Sequence, residues 1–216
     1  DGRIARISSL PQPPDGGRKR VLAMPALVNA HDHARPLSST SFGGAGRPLE
    51  TWLPRLAMMP AVDPYVAAVA AFGRAARGGC AGVMVHLTRP MGLMPLAEEA
   101  VLIAQAADEV GIAIGLAISM RDTHPLVYGD HAPVLEALPA ETRAVVEATW
   151  LRPPPPIAAQ LAAVDEVAAA VAGHCPGARV DVQYGPTGVQ WCSRPLLEAI
   201  ARGSAGTGRR VHMHFL

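Results

Sequence analysis

Lysine is nearly missing from this 216-residue chain, with Lys19 the single example. Charge of either sign is scarce as well: the net charge is +1, which excludes a basic field for nucleic acid or an anionic membrane surface. Cysteine is limited to Cys80, Cys175 and Cys192, an odd number without a CxxC, so a disulfide framework is excluded and reduced cytosolic thiols are expected. No apolar run nears the roughly 18 residues that span a bilayer, and no charged and apolar leader opens the chain. Neither GxGxxG nor GxxxxGK[ST] follows the first apolar run, which removes the usual phosphate-cradling reading. Internal repeats and low-complexity tracts are not evident.

What is present is a core-forming composition, 50% hydrophobic and 17% charged, which excludes disorder. Apolar runs alternate with helical stretches. Strands are expected at 21–30, 80–87, 112–119, 179–185 and 209–216. Helices are expected at 67–78, 95–111, 141–150, 157–173 and 195–204, with a four-proline break at 153–156. Such alternation suits a parallel sheet covered by helices, and periodicity alone does not separate an open sheet from a barrel. DGRIARI reads as the second half of a hairpin, and VHMHFL stops within a strand. The chain is therefore expected to be a fragment of a longer protein.

The histidines carry the chemistry. His31 and His33 stand at i and i+2 after an apolar strand, where an extended chain points both side chains to one face. The carboxyl-terminal end of a strand is also where α/β barrels place active sites. One HxH is a weak motif, equally at home in a solvated loop. His212 and His214 repeat the arrangement on the fifth strand, however, and two buried neutral pairs are costly without a role. Imidazole nitrogen favours zinc, with iron the alternative.

AMPALVNAHDHARPL resembles the strand-one segment of the amidohydrolase superfamily, and LETWLPRL (49–56) the lid stretch of its deaminase and chlorohydrolase branch. YGPTGVQWCSRPLLEAIA (184–201) resembles that branch's strand four, and RRVHMHFL its strand five, His-x-His-Leu-x-Glu. The resemblance implies an incomplete (β/α)8 barrel over residues 23–216, with about five of eight strands, after a β-sandwich remnant at 1–22. It implies His31, His33 and His214 as metal ligands, with His212 a neighbour facing the site or packing beneath it. The family's glutamate would be residue 217, and its later histidine and aspartate would also lie beyond this chain. No catalytic acid or base is thus expected among residues 1–216, and the fragment alone is expected to have little or no activity.

Many binuclear relatives carry a strand-four lysine, but neither Lys nor Glu ends RVDVQYG, so one divalent ion is expected. Such an ion lowers the pKa of a bound water to about 7. The resemblance then implies attack of activated water on an amidine-like carbon of a small heterocycle, with ammonia leaving; chloride or alkylamine would serve equally. Cyclic-amide hydrolysis and a non-catalytic metal-binding barrel are the alternatives. Substrate contacts are expected from His86, Arg121, Gln190, Trp191 and His212. Arg35, Arg89, Asp122, His124, Gln183 and Tyr184 also stand near strand ends, where surface loop or local salt bridge is an equal reading. Thr187 stands where the nucleoside and S-adenosylhomocysteine deaminases have histidine, which disfavours an adenosine-like substrate. Relatives of this kind are often homo-oligomers.

Overall fold

The computed structural model describes residues 4–8, 22–124, 126–127 and 129–215. Most of the expected β-sandwich remnant lies outside the described residues; its described part, 4–8 and 22, is exposed and without regular structure. The elements in chain order are β1 (Leu27–Asp32), α1 (Leu49–Ala57), α2 (Pro64–Arg77), β2 (Cys80–Leu87), α3 (Leu96–Val110), β3 (Ala113–Met120), α4 (Ala132–Glu136), α5 (Ala140–Trp150), α6 (Ile157–His174), β4 (Val180–Pro186) and α7 (Arg194–Thr207). Short 3-10 turns fall at Ser39–Phe42 and Val189–Trp191.

All four strands run parallel in the order β1-β2-β3-β4. The expected fifth strand is present as two parallel bridges to the end of β4, Tyr184 with Val211 and Gly188 with His214. Tyr184 N donates to the Arg210 carbonyl at 3.0 Å and His212 N to the Tyr184 carbonyl at 2.9 Å, so this segment continues the sheet. β1 begins at Leu27, later than the expected residue 21, and its pairing with β2 slips between Leu27 and Val28 and again between Asn29 and Asp32. Pro25 offers no N–H to a ladder, which disfavours strand pairing before it.

The helices form where an apolar stripe can cover the sheet. Val164, Val167 and Val171 are the buried residues of α6, spaced at three and four. Alanines do most of this work on α3, where Ala100, Ala104 and Ala107 are fully buried beside Ile103, so that α3 can lie close to its neighbours. Asp63 caps α2 through a 3.0 Å bond from Val66 N, and Pro64 supplies the first helical position. Gly111, at φ 78°, ends α3 in the left-handed region. α1 was read only as a lid stretch; Pro54 inside it breaks the helical pattern, and the helix buries none of its residues.

Four parallel strands plus the 209–215 segment would put the outer members about 19 Å apart in a flat sheet, at about 4.8 Å per interval. Yet a ring nitrogen of His31 at one edge lies 3.0 Å from one of His212 at the other. The sheet is therefore strongly curved, with its two outer members facing each other across the concave side.

Candidate metal centre

Five imidazoles meet on that concave side at the carboxyl-terminal ends of the strands. His31 belongs to β1, His33 follows it, His86 is in β2, and His212 and His214 come from the fifth segment. Ring centroids of His214 lie 4.7 Å from His31, 5.4 Å from His33 and 4.4 Å from His86. Ligand nitrogens of His31, His33 and His214 all fall within 4.8 Å of one another.

Local chemistry sets these rings. Asp32 Oδ1 accepts from the backbone N–H of His33 (2.7 Å) and Ala34 (2.8 Å), and Oδ2 from Asn29 Nδ2 (2.8 Å). This clasp turns the chain sharply after β1 and drives Ala34 into positive φ, 50°, where it is buried. His33 Nδ1 donates to the His86 carbonyl at 2.8 Å, and His214 Nδ1 to the Thr187 carbonyl at 2.6 Å. Both Nε2 atoms are thereby left with a lone pair, as ligation requires. His33 Nε2 lies 3.3 Å from His31 Nε2. Two nitrogens each 2.0–2.1 Å from a tetrahedral zinc stand about 3.3 Å apart, so this pair fits one ion.

Thr88 links the second ring layer: its Oγ1 lies 3.2 Å from His33 Nδ1 and 2.7 Å from His86 Nδ1. Thr88 Oγ1 thus bridges the two rings, so Nδ1 of His86 is engaged and its Nε2 is the free ring nitrogen. That Nε2 is fully buried and has no hydrogen-bond partner. Burial first, then the neighbouring His214, His33 and His212, pushes His86 down to about 3, with the Pro186 carbonyl opposing. Burial also holds His31, His33 and His212 below the ordinary imidazole value; neighbouring imidazoles add to this in each. These four rings are therefore held toward the neutral form near pH 7, the form that binds metal.

The structure gathers all five histidines singled out in the sequence. The other three candidates sit on loops at the same sheet edge, outside the imidazole group. Arg121 follows β3, where its N–H donates to Gln160 Oε1 at 3.1 Å. Gln190 and Trp191 form the turn after β4, and their carbonyls accept from the 121–123 loop. Trp191 is buried. Tyr184 also is buried, on the helix side, with Arg209 Nη1 donating to its hydroxyl at 3.1 Å. Gln183 Nε2 donates to Asp181 at 2.6 Å, and His124 Nδ1 accepts from Gly129 N at 3.1 Å. Asp122 accepts from both N and Oγ of Ser193 at 2.6 Å, tying the β3 loop to the start of α7. Arg35 donates to the Arg89 carbonyl and faces the buried Glu99.

Groups that the sequence did not single out are Asp32, which clasps the loop carrying His33, and Thr88, which links the His33 and His86 rings. Thr187, known there only as a departure from a family pattern, is buried, holds Ser119 Oγ at 2.8 Å and presents its carbonyl to His214. All three cysteines are free thiols. Among the described residues no helix is long and apolar enough to cross a membrane.

A histidine cluster at the carboxyl-terminal edge of a curved parallel α/β sheet is a candidate metal site, and known structures share the fold that carries it. A triazine hydrolase from Arthrobacter aurescens matches over 89% of this chain and 40% of its own, at 18% identity and TM-score 0.52. A triazine hydrolase variant matches over the same shares at 20% identity and TM-score 0.52. An atrazine chlorohydrolase from Arthrobacter aurescens TC1 complexed with zinc matches at 19% identity, 89% and 41% coverage, and TM-score 0.48. The triazine hydrolase likeness establishes the fold, and the chain spans about 40% of the length of these structures. No protein-family model and no curated protein matches the chain.

Proposed function

We propose that the chain is the metal-binding part of an amidohydrolase-superfamily hydrolase, an incomplete (β/α)8 barrel whose whole protein acts on a small N-heterocycle. One observation carries this reading: imidazole nitrogens from opposite edges of the curved sheet converge, with His31 and His33 at the spacing of ligands on one ion. His31, His33 and His214 would hold the ion, and zinc suits a neutral imidazole set. When bound, it activates water as a nucleophile at neutral pH.

The chain's own residues then position and exclude. The carbonyls of His86 and Thr187 fix two ligand rings, and Asp32 fixes the loop that carries His33. His86 Nε2, buried and unpartnered, is the ring nitrogen left to donate to a substrate nitrogen or the developing oxyanion in its Nε2–H tautomer. Arg121, Gln190 and Trp191 are the further substrate-side candidates. Cleavage of an exocyclic C–N bond with loss of ammonia is the reaction proposed. The likeness to triazine hydrolases supports a nitrogen-rich aromatic ring as substrate.

Zinc content of the purified chain tests the centre: one equivalent is expected in the wild type and almost none in His31→Ala, and equal content in both would refute it. For the whole protein, ammonia release from an aminopyrimidine and aminotriazine panel is expected to exceed that from adenosine. Preferential turnover of adenosine would overturn the substrate reading.

A further inference from the structure

His212 is the imidazole whose ring nitrogen faces Nδ1 of His31, the nitrogen that His31 does not turn toward His33. His31 presents Nε2 to His33 and Nδ1 to His212 Nε2, at 3.0 Å, with the His31 and His212 rings stacked at 26° and 5.3 Å. Backbone pairing fixes where His212 stands, because its N–H donates to the Tyr184 carbonyl.

A contact of 3.0 Å between two ring nitrogens needs one proton between them. For His31 to offer an Nε2 lone pair to an ion, its proton must sit on Nδ1, where His212 Nε2 is the acceptor. Without an ion the opposite arrangement satisfies every contact: His212 Nε2–H donates to His31 Nδ1, and His31 Nε2–H donates to His33 Nε2. Passing from one to the other exchanges one proton within each ring through solvent and leaves both rings neutral. His33 and His214 have carbonyls in this orienting role; His31 has none, and its partner is an imidazole.

We propose that His212 is a positioning residue rather than a ligand or a substrate contact: it accepts the Nδ1 proton of His31 and so holds that ring in its metal-binding tautomer. This rests on the metal centre proposed above. The role is that of the carboxylate in carboxylate–histidine–zinc arrangements, and loss of such partners weakens metal binding about 10–100-fold.

The test is zinc affinity of the 216-residue chain, measured by competition with a chromophoric chelator, together with the visible spectrum of the cobalt-substituted protein. His212→Ala is expected to lower zinc affinity about 10–100-fold. At saturation its cobalt spectrum is expected to match the wild type, because no ligand has been lost. His212→Gln, whose Oε1 can accept the same proton, is expected to recover most of the affinity. Wild-type affinity in His212→Ala, an altered cobalt spectrum, or a Gln variant as weak as the Ala variant would each overturn the proposal. His31→Ala separates the two readings: undiminished zinc binding there defeats the metal centre itself.

Discussion

His86 is the residue whose presence stability does not explain. A buried ring nitrogen without a partner costs about 1–3 kcal/mol, so replacing the imidazole with an apolar side chain of similar size removes a penalty. His86→Met is expected to leave the unfolding free energy unchanged or raise it by about 1 kcal/mol, read by urea denaturation. A loss beyond about 1 kcal/mol would show that the imidazole serves packing. The lowered values of His31 and His33 yield a second expectation. Burial holds His31 and His33 below their ordinary value, so protons compete for their nitrogens only once pH falls below about 6.5. Ring-proton NMR titration of the metal-free chain should therefore place the midpoints of His31 and His33 below that value, and a midpoint of either above about 6.5 would contradict the shifts. The gathering of His31, His33, His212 and His214 was legible in the sequence because histidine at i and i+2 is rare and recurs. Their orienting partners were not, because the carbonyls of His86 and Thr187 are backbone atoms that any residue carries.

The elements repeat the lesson at a longer range. Cys80–Leu87 and the helices α3, α5 and α6 fall within a residue of their expected places, because apolar runs and alanine-rich helical stripes differ in period. α1 was hidden by Pro54, and α4 is too short, at five residues, to show a period. What the pattern could not reveal is the latch between elements formed by Glu99 in the first turn of α3. Its two oxygens accept from Met91 N at 2.9 and 2.8 Å, and its charge faces Arg35, which follows the HxH loop. Glu99 is 1% exposed, so truncation leaves the part-buried Met91 N–H without its acceptor and weakens the setting of a cation. Glu99→Ala is expected to cost about 2–4 kcal/mol in urea unfolding and to lower zinc affinity by loosening the loop. If stability falls while zinc affinity does not, α3 and the metal loop are energetically independent.

At the scale of the molecule, curvature and the metal centre are one problem. β1 and the 209–215 segment leave apolar residues open to solvent, with Val28 66% exposed and Val211 44%. Among the described residues no further strand pairs with either edge, so contacts across the concave side help to hold them together. Those contacts are imidazole to imidazole: His31 on one side, His212 and His214 on the other. An ion bound by His31, His33 and His214 would join the two edges directly, and binding restricted to the folded chain stabilises it by mass action. At 100 times the dissociation constant the gain is about 2.7 kcal/mol. Zinc should therefore raise the thermal midpoint, and amide-exchange protection should increase most in residues 27–34 and 210–214. His31→Ala and His214→Ala, each removing the ligand from one edge, should abolish both effects. Protection gained only around residues 27–34 would mean that the ion is held by one edge, and the curved sheet would then owe its shape to the helices packed outside it.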